Sequence, residues 1–382
     1  MLALLPKDLV EEGLFARRRD LFAELSVVFM DTTSLSFEGR GGEELGRRGH
    51  SKDYDLHQMI VGLVMDQDGR PLCSELWPGN TADVTTLLPV VDRLRARFGV
   101  GRICVVADRG MISAATMAAL EERKLEYILG VRERSGAEVR RTVIDDQTPF
   151  VPLAVPRAPG EFTELEAKQV KIGQRRYIVC RNLAEARRDA DQRTAILEGL
   201  RAKLAQGDKA LVGNSGFRRY LKTLSAEHFA IDEDRVADDA RFDGLYVLRT
   251  NTKLSPLQVM LRYRDLWRVE QLFRQAKAVL ATRPIYHSSD MAIRGHVFCS
   301  FLALLLAKEL EDRLRRHGVA AEWDDILRDL ERLQEITLEQ DGKRLLLRTP
   351  TAGVTGKLFQ AVGVALPPNI QELPLSNPQP TA

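Results

Sequence analysis

The sequence predicts an α/β protein, in which a mixed β-sheet is flanked by helices and carries a partly β insertion subdomain. Three apolar, strand-like runs come first, with turn residues at 66–69 between the second and the third, and they predict a three-stranded antiparallel meander. Amphipathic helices then alternate with apolar strands. The elements predicted in this half are strands at 26–37, 57–66 and 71–79, a helix at 85–98, a strand at 103–107, a helix at 113–124 and a strand at 126–133.

That order matches the ribonuclease H-like architecture, in which the first and fourth strands of a mixed sheet present acidic residues. Prolines then punctuate short extended pieces up to about residue 243, and the strand at 242–250 is predicted to return to the main sheet. The predicted parts are an N-terminal helical remnant at 1–25, the ribonuclease H-like core at 26–135, an insertion subdomain at 136–241, the second part of the core at 242–366, and a disordered tail at 367–382.

Composition predicts a cytoplasmic protein with more than one domain. The chain has 382 residues, 44% of them hydrophobic, and a net charge of +2. It shows no signal peptide, and the apolar run at 297–307 is shorter than the roughly 20 residues of a membrane span. The cysteines lack metal-binding spacing and are predicted to be buried thiols, namely Cys73, Cys104, Cys180 and Cys299. Basic residues cluster at 262–283, as expected for phosphate binding.

Two aspartates follow apolar strand runs. Asp31 comes after Val27–Met30, and Asp108 comes after Ile103–Ala107. If the two strands are neighbours, the carboxylates stand at one edge of the sheet, where two charges about 4 Å apart repel by roughly 4 kcal/mol at an effective dielectric near 20. A divalent cation relieves this repulsion, and oxygen ligands suit Mg²⁺ or Mn²⁺. Each aspartate alone is equally well interpreted as a turn or cap residue.

The third acidic candidate is Glu270, on a predicted helix crowded with basic and aromatic residues. An apolar stripe that should pack on the sheet comprises Leu266, Val269, Phe273, Ala276 and Leu280. The adjoining face carries Tyr263, Trp267, Glu270, Arg274 and Lys277. A glutamate among cations is often only a salt-bridged surface residue. This face, however, also has two aromatic residues and ends beside Arg283, and an acid surrounded by phosphate-binding cations favours a metal-dependent site for DNA cleavage.

Other polar segments allow weaker interpretations. The loop at 46–58 collects basic residues, including Lys52, that could reach a DNA backbone. His50 and His57 are possible metal ligands, but lone histidines are more often structural. Asp83 is predicted to be an N-cap of the following helix rather than a catalytic residue.

Together these motifs resemble the DDE transposases of bacterial insertion sequences, in the group with a β-rich insertion between the second Asp and the Glu. The resemblance extends from about Val27 to Pro368, and its anchors are FMDTTS, GHSKD, PGNTAD, ADRGM, and YRDLWRVEQLFRQAK followed by RPIYH. It implies a ribonuclease H-like core that binds two Mg²⁺ (or Mn²⁺) ions, with Asp31, Asp108 and Glu270 as the metal-binding catalytic residues.

The resemblance also implies a homodimer that acts on the terminal inverted repeats of an element and on target DNA, in the cytoplasm at the nucleoid and without a membrane. The residues expected to orient the DNA backbone are Tyr263, Arg268, Arg274, Lys277 and Lys52. The Tyr, Arg, Glu, Lys signature of the family is matched at Tyr263, Glu270 and Lys277, but Leu266 occupies the Arg position. Arg264 or Arg268 could substitute for it.

Two alternatives remain open at this point. Only thirty residues precede Asp31, whereas family members usually carry a DNA-recognition domain there. The chain could therefore be a truncated transposase remnant that binds DNA or dimerises without completing transposition. A haloacid-dehalogenase-like phosphatase is less consistent with the sequence, because that group has an Asp-x-Asp pattern and Thr33 occupies the second position here.

Overall fold

The computed structural model describes residues 7–18, 27–49, 56–98, 103–131, 139–158, 161–206, 219–225, 228–340 and 343–374. The described chain divides into two units, Met1–Cys299 and Ser300–Ala382. This division falls inside the segment predicted as the second part of the core, and the other predicted boundaries stay predictions.

The first unit is built on one mixed sheet of ten strands. These are β1 (Val27–Ser36), β2 (Arg47–Arg48), β3 (His57–Asp66), β4 (Pro71–Pro78), β5 (Cys104–Ala107), β6 (Glu126–Val131), β7 (Val151–Ala158), β8 (Glu161–Ile172), β9 (Arg175–Asn182) and β12 (Leu245–Thr250). Their order is β2-β3-β1-β5-β6-β12-β9-β8-β7, and β4 pairs with β3.

The strands β1, β3 and β4 form the predicted antiparallel meander. The strand β5 pairs in parallel with both β1 and β6. Strand β1 therefore joins the antiparallel meander to the parallel part of the sheet. The prediction of a mixed sheet flanked by helices is therefore confirmed.

Helices cover both faces of this sheet. Helices α2 (Leu87–Phe98) and α3 (Ala114–Glu122) pack in one core cluster with Val28, Met30, Val105 and Ala107. Helices α6 (Pro256–Arg264) and α7 (Trp267–Arg274) contact strands β1, β3, β5, β6 and β12. Because side chains alternate along a strand, the residues between those in the α2 cluster point to the other face.

The segment predicted as an insertion extends this sheet. Strand β9 pairs antiparallel with β12, and β8 and β7 follow outward. Helix α4 (Leu183–Gln206) contacts β8 and β9. A separate hairpin is formed by β10 (Leu221–Ser225) and β11 (His228–Ile231), and α5 (Glu233–Ala240) leads back to β12. Strand β12 also pairs with β6, which joins the insertion strands to the core sheet by backbone hydrogen bonds.

The N-terminal helix α1 (Lys7–Arg18) is tied to α2 by ion pairs. The buried carboxylate of Glu11 accepts hydrogen bonds from Arg97 Nη2 at 2.9 Å and from the Ser74 amide at 3.2 Å. Burial raises the pKa of Glu11 above its usual value, although Lys7 and Arg97 act in the opposite direction. This helix therefore belongs to the folded core of the first unit.

The division between the units falls within helix α8 (Asp290–Arg316). In the second unit, α9 (Trp323–Glu331) and α10 (Thr355–Val362) pack around Leu314, Ile326 and Leu358. A three-stranded antiparallel sheet joins β13 (Glu335–Gln340), β14 (Lys343–Arg348) and β15 (Ile370–Leu373). Among the described helices only α8 is long and apolar enough to cross a membrane, a criterion that core helices of soluble proteins also meet.

Three expectations need correction. The tail was predicted to be disordered from residue 367, but residues 370–373 form β15, because β14 offers them a free edge for backbone pairing. Cys299 is exposed, whereas the other three cysteines are buried. Its neighbours Phe298 and Phe301 are buried, so helical periodicity turns Cys299 outward.

The third correction concerns the helix that carries Glu270, which was predicted to be continuous. It is divided between α6 and α7 at Asp265–Leu266, where backbone hydrogen bonds of the i to i+3 type replace the regular pattern. A capping box of Ser255 and Gln258, with Pro256 at the first turn, begins α6.

Candidate functional site

Asp31 and Asp108 stand side by side where β5 ends. The parallel pairing of β1 with β5 stops at Met30–Ala107, so the next residue of each strand is an aspartate. Asp31 lies within its strand, as the predicted strand at 26–37 requires, because β1 continues to Ser36 by pairing with β3. Since Val28, Met30, Val105 and Ala107 face α2 and α3, Asp31 and Asp108 project from the face that α6 and α7 cover.

The environment of Asp31 disfavours its negative charge. Burial, together with the nearby carboxylates of Asp108, Glu270 and Asp83, raises the pKa of Asp31 to about 7. The amide of Thr32 donates a hydrogen bond to Asp31 Oδ1 at 2.8 Å and acts in the opposite direction. Negative charge therefore accumulates at this point of the sheet edge, where a cation would stabilise the ionised form of Asp31.

Asp108 is oriented by Tyr263. The Tyr263 hydroxyl, at the end of α6, donates a hydrogen bond to Asp108 Oδ1 at 2.8 Å. Burial and the Asp108 charge raise the pKa of Tyr263, so the phenol stays protonated and remains a donor. Gly130 of β6 makes room for this contact, because a Cβ atom there would overlap the Tyr263 hydroxyl.

Glu270 reaches the same site from α7. Val269, Leu272 and Phe273 are buried against the sheet, whereas Glu270 is exposed. Among the residues that the structure describes, Glu270 forms no hydrogen bond or ion pair, but its charge contributes to the raised pKa of Asp31. Packing of the apolar face of α7 thus presents the third carboxylate to the first.

A cleft with a volume of about 390 Å³ opens beside these acids. Its lining comprises Asp31, Thr32, Thr33, Glu270, Phe273, Arg274, Lys277, Ala278 and Arg283. Two of the three acidic candidates and three basic residues therefore share one cavity. This combination suits a ligand that carries negative charge and is bound beside a cation.

The basic side of the cleft follows a widened turn. Residues Gln275–Val279 form a π-helical turn directly after α7. Lys277 Nζ donates a hydrogen bond to Thr33 Oγ1 at 2.5 Å, which bridges the turn to β1. Burial and the nearby Arg283 lower the pKa of Lys277, while Asp31 raises it. Arg274 and Arg283 are exposed and, within the described ranges, form no ion pair, so their charges remain available to a ligand.

Arg268, which was also predicted to bind DNA, lies away from the cleft. The guanidinium of Arg268 contacts the Gln67 carbonyl at 3.3 Å and the Asp265 carboxylate at 3.4 Å, and it does not line the cleft. Lys52 and His50 lie outside the described residues. His57 begins β3 in the pair with Arg48, which fits the structural interpretation.

Sequence reasoning missed the part played by Asp83. It begins a short 3₁₀ turn, Asp83–Thr85, whose N-cap residue is Ala82, and no side chain caps this turn. Helix α2 begins only at Leu87, so Asp83 does not occupy its N-cap position and the predicted capping role is wrong. The Asp83 carboxylate instead accepts a hydrogen bond from Thr32 Oγ1 at 2.8 Å. In the sequence, Asp83 is marked only by the polar PGNTADVTT segment. The fold brings this segment next to Asp31, through the hydrogen bond from Thr32.

The chemistry of this donor set fits a divalent cation. Asp31, Asp108 and Glu270 offer hard oxygen ligands, and their mutual repulsion at a partly buried position is what such an ion would relieve. Across the described ranges, no three His, Cys, Asp or Glu side chains already stand close enough to hold a metal ion. The carboxylates therefore fit the ion in type and charge, without a preassembled coordination shell.

Residues 23–306 match the sequence profile of the family described as the transposase DDE domain. No curated protein matches the sequence at a significant level. Among solved structures, the chain is similar to one in the cryo-EM structure of a piggyBac transposase synaptic complex with hairpin DNA, with 10% sequence identity and a TM-score of 0.44. That match covers 81% of this chain and 52% of the other, so this chain spans about half of its length.

Proposed function

Because the chain belongs to the transposase DDE domain family, we propose that it is a transposase that cleaves DNA at the ends of an insertion element and joins them to target DNA. The observation that supports this proposal is that Asp31 and Glu270 line a cleft with a basic side and that the charges of Asp108 and Glu270 both act on Asp31.

The three carboxylates would hold the divalent metal ions on which this family generally depends. We propose two ions, Mg²⁺ or Mn²⁺, and binding would draw the carboxylates closer together than they stand here. Bound ions of this kind supply activation of a water or a DNA 3′-hydroxyl and charge stabilisation at the leaving oxygen. Tyr263 holds Asp108 in one orientation by its hydroxyl, and the Thr32 amide does the same for Asp31.

The DNA backbone would lie along the basic side of the cleft. Arg274, Lys277 and Arg283 line it together with Asp31 and Glu270, so a phosphate that contacts the cations is also next to the acids. The Tyr263 hydroxyl already donates a hydrogen bond to Asp108, so a contact between Tyr263 and a phosphate would require that bond to be shared or broken. Arg268 is already bonded to Gln67 and Asp265, and we leave it out of the proposed DNA contacts.

The partners we propose are the terminal inverted repeats of the element, the target DNA and a second copy of the chain in a homodimer. We also propose the cytoplasm, at the nucleoid, as the place of action. All of these follow from the family rather than from a contact in the structure, and each is open to direct measurement.

The test is metal-dependent nicking and joining of plasmid DNA by the purified chain and by its Asp108→Asn variant. We expect cleavage with Mg²⁺ or Mn²⁺ that disappears in the variant and in the presence of EDTA. DNA binding without cleavage by the unaltered protein would contradict the proposal and would favour a remnant that binds DNA without completing transposition. Size-exclusion chromatography with light scattering tests the homodimer.

A further inference from the structure

Strand β1 loses one neighbour at the point where it carries Asp31. Up to Met30 it lies between β3 and β5, but from Asp31 to Leu35 β3 is its only partner among the described strands, and the open side is next bonded at Ser36, to the Ile285 amide. A strand with one unpaired side is held less firmly, because half of its backbone groups have no ladder partner. The position of Asp31 therefore depends on contacts from outside the ladder.

Thr32 supplies one such contact, because its hydroxyl donates a hydrogen bond to Asp83 Oδ1 at 2.8 Å. Its amide donates to Asp31 Oδ1 at 2.8 Å and so orients the carboxylate within the strand. The side chain of Thr32 alternates with that of Asp31, so the bond to Asp83 anchors the strand from the face opposite the acid.

The segment that carries Asp83 is itself well fixed. The hydroxyls of Thr85 and Thr86 donate to the carbonyls of Ala82 and Asp83 at 2.8 and 2.7 Å. Thr86 is buried. The turn Asp83–Thr85 contacts the turn Arg109–Met111, which directly follows Asp108. The same segment is thus bonded to the strand of one acid and packed against the turn after the other.

We propose that Asp83 is a positioning residue, which holds Asp31 in place for metal binding through its hydrogen bond with Thr32. This proposal rests on the proposed function. The carboxylate of Asp83 is not used to cap its own turn, so the Thr32 hydroxyl is the described partner that gives this side chain a defined position. The required property is an acceptor oxygen, which an asparagine also provides.

The experiment measures Mn²⁺ affinity by electron paramagnetic resonance, and Mg²⁺-dependent nicking, for the full chain. The variants are Asp83→Ala, Asp83→Asn, Thr32→Val and the double variant Thr32→Val/Asp83→Ala, with Asp31→Asn as the reference for loss of a ligand. Asp92→Ala is the matched control, because it removes an exposed aspartate of α2 that bonds to Arg123. Circular dichroism melting establishes that each variant is folded.

We expect Asp83→Ala and Thr32→Val each to weaken Mn²⁺ binding about tenfold, the usual scale for loss of a group that orients a metal ligand. The double variant should be no weaker than either single one, since both remove the same bond. Asp83→Asn should restore the affinity to within about twofold of the unaltered protein, and Asp92→Ala should not change it.

Unchanged Mn²⁺ affinity in both Asp83→Ala and Thr32→Val would overturn the proposal. An Asp83→Asn variant as weak as Asp83→Ala would also overturn it, because the charge rather than the hydrogen bond would then be what matters. If Asp83→Ala does not fold, Thr32→Val and Asp83→Asn still decide between these outcomes. Failure of the proposed function is distinct: the unaltered protein would then bind Mn²⁺ no better than Asp31→Asn, and both proposals would be overturned.

Discussion

The two acids of the sheet and the one acid of the helix are held in different ways. Asp31 and Asp108 directly follow the last residues that pair β1 with β5, and each accepts a hydrogen bond that fixes its carboxylate. Glu270 is exposed on α7, and among the described residues no hydrogen bond restrains it. The sheet thus supplies a preorganised pair, and the helix supplies a ligand that can adjust as a metal ion and DNA bind.

The largest effects should come from changing the three acids themselves, first to their amides and then in the length of the side chain. We expect Asp31→Asn, Asp108→Asn and Glu270→Gln each to reduce DNA cleavage on the order of a thousandfold, as expected when one stabilising group of a reaction centre is removed. Asp31→Glu and Asp108→Glu should be as inactive, because their strands cannot shift. Glu270→Asp should keep measurable cleavage in a plasmid nicking assay, because its side chain is free to adjust.

Equal loss in Glu270→Asp and in Asp31→Glu would show that the helix acid is as rigidly placed as the sheet acids. Full cleavage by any of the three amide variants would remove that residue from the site. Melting temperatures close to that of the unaltered protein are the control for folding.

The next largest effect should come from the bond between Tyr263 and Asp108. We expect Tyr263→Phe to weaken Mn²⁺ binding and cleavage about tenfold, because Asp108 then loses the donor that orients it. Gly130→Ala should have at least as large an effect, since the added methyl group takes the space of the Tyr263 hydroxyl. Gly110→Ala is the matched control, because its Cβ atom would meet nothing. If Gly130→Ala behaves like Gly110→Ala, the tyrosine does not orient Asp108.

Asp31 and Asp108 could be identified as candidates from the sequence, because each is marked by a local pattern. An apolar run followed by an aspartate marks the place where a buried strand leaves the core. That the two strands are neighbours was only a condition of the prediction, and the structure pairs them in parallel. Element order also predicted the meander and the mixed sheet. The roles of these residues in metal and DNA binding stay predictions.

The remaining features depend on contacts over long distances in the chain. Thr32 and Asp83 are 51 residues apart, and Tyr263 and Asp108 are 155 apart, so no local pattern indicates either bond. The pairing of β9 with β12, which joins the insertion to the main sheet, is equally a matter of tertiary packing. The break between α6 and α7 went unpredicted because the helical periodicity of the apolar residues continues across it.

A smaller effect is expected in the pH dependence of folding. In the unfolded chain Asp31 should lose its proton near the usual value of about 3.9, whereas in the folded, metal-free protein burial raises its pKa to about 7. Between these values the folded state binds more protons, so the free energy of unfolding should fall by about 3 kcal/mol as the pH rises from 4 to 7.

Urea denaturation in EDTA at several pH values checks this. Asp31→Asn should lack that fall and should be more stable than the unaltered protein at pH 8. Glu270→Gln should reduce the fall only in part, since Glu270 acts on Asp31 as one charge among several. Parallel stability curves for Asp31→Asn and the unaltered protein would contradict the raised pKa.

The smallest effects should come from single cations, and they distinguish the cleft from its surroundings. Arg274 and Arg283 line the cleft beside the acids, whereas Arg268 is bonded to the Gln67 carbonyl and to Asp265. We expect Arg274→Ala and Arg283→Ala each to weaken DNA binding several-fold and to lower the slope of log affinity against log salt by about one, because each removes one phosphate contact. Arg268→Ala should leave that slope unchanged.

Fluorescence anisotropy with a labelled duplex, at several salt concentrations and in EDTA, measures the three slopes without interference from cleavage. A lowered salt slope in Arg268→Ala would mean that DNA also contacts the turn between β3 and β4, to which Arg268 is bonded. The DNA-binding surface would then extend beyond the cleft. Unchanged slopes in Arg274→Ala and Arg283→Ala would instead separate the basic residues of the cleft from DNA binding altogether. Either result would mean that the DNA passes the rigid acids of the sheet and the adjustable acid of the helix along a path different from the one proposed.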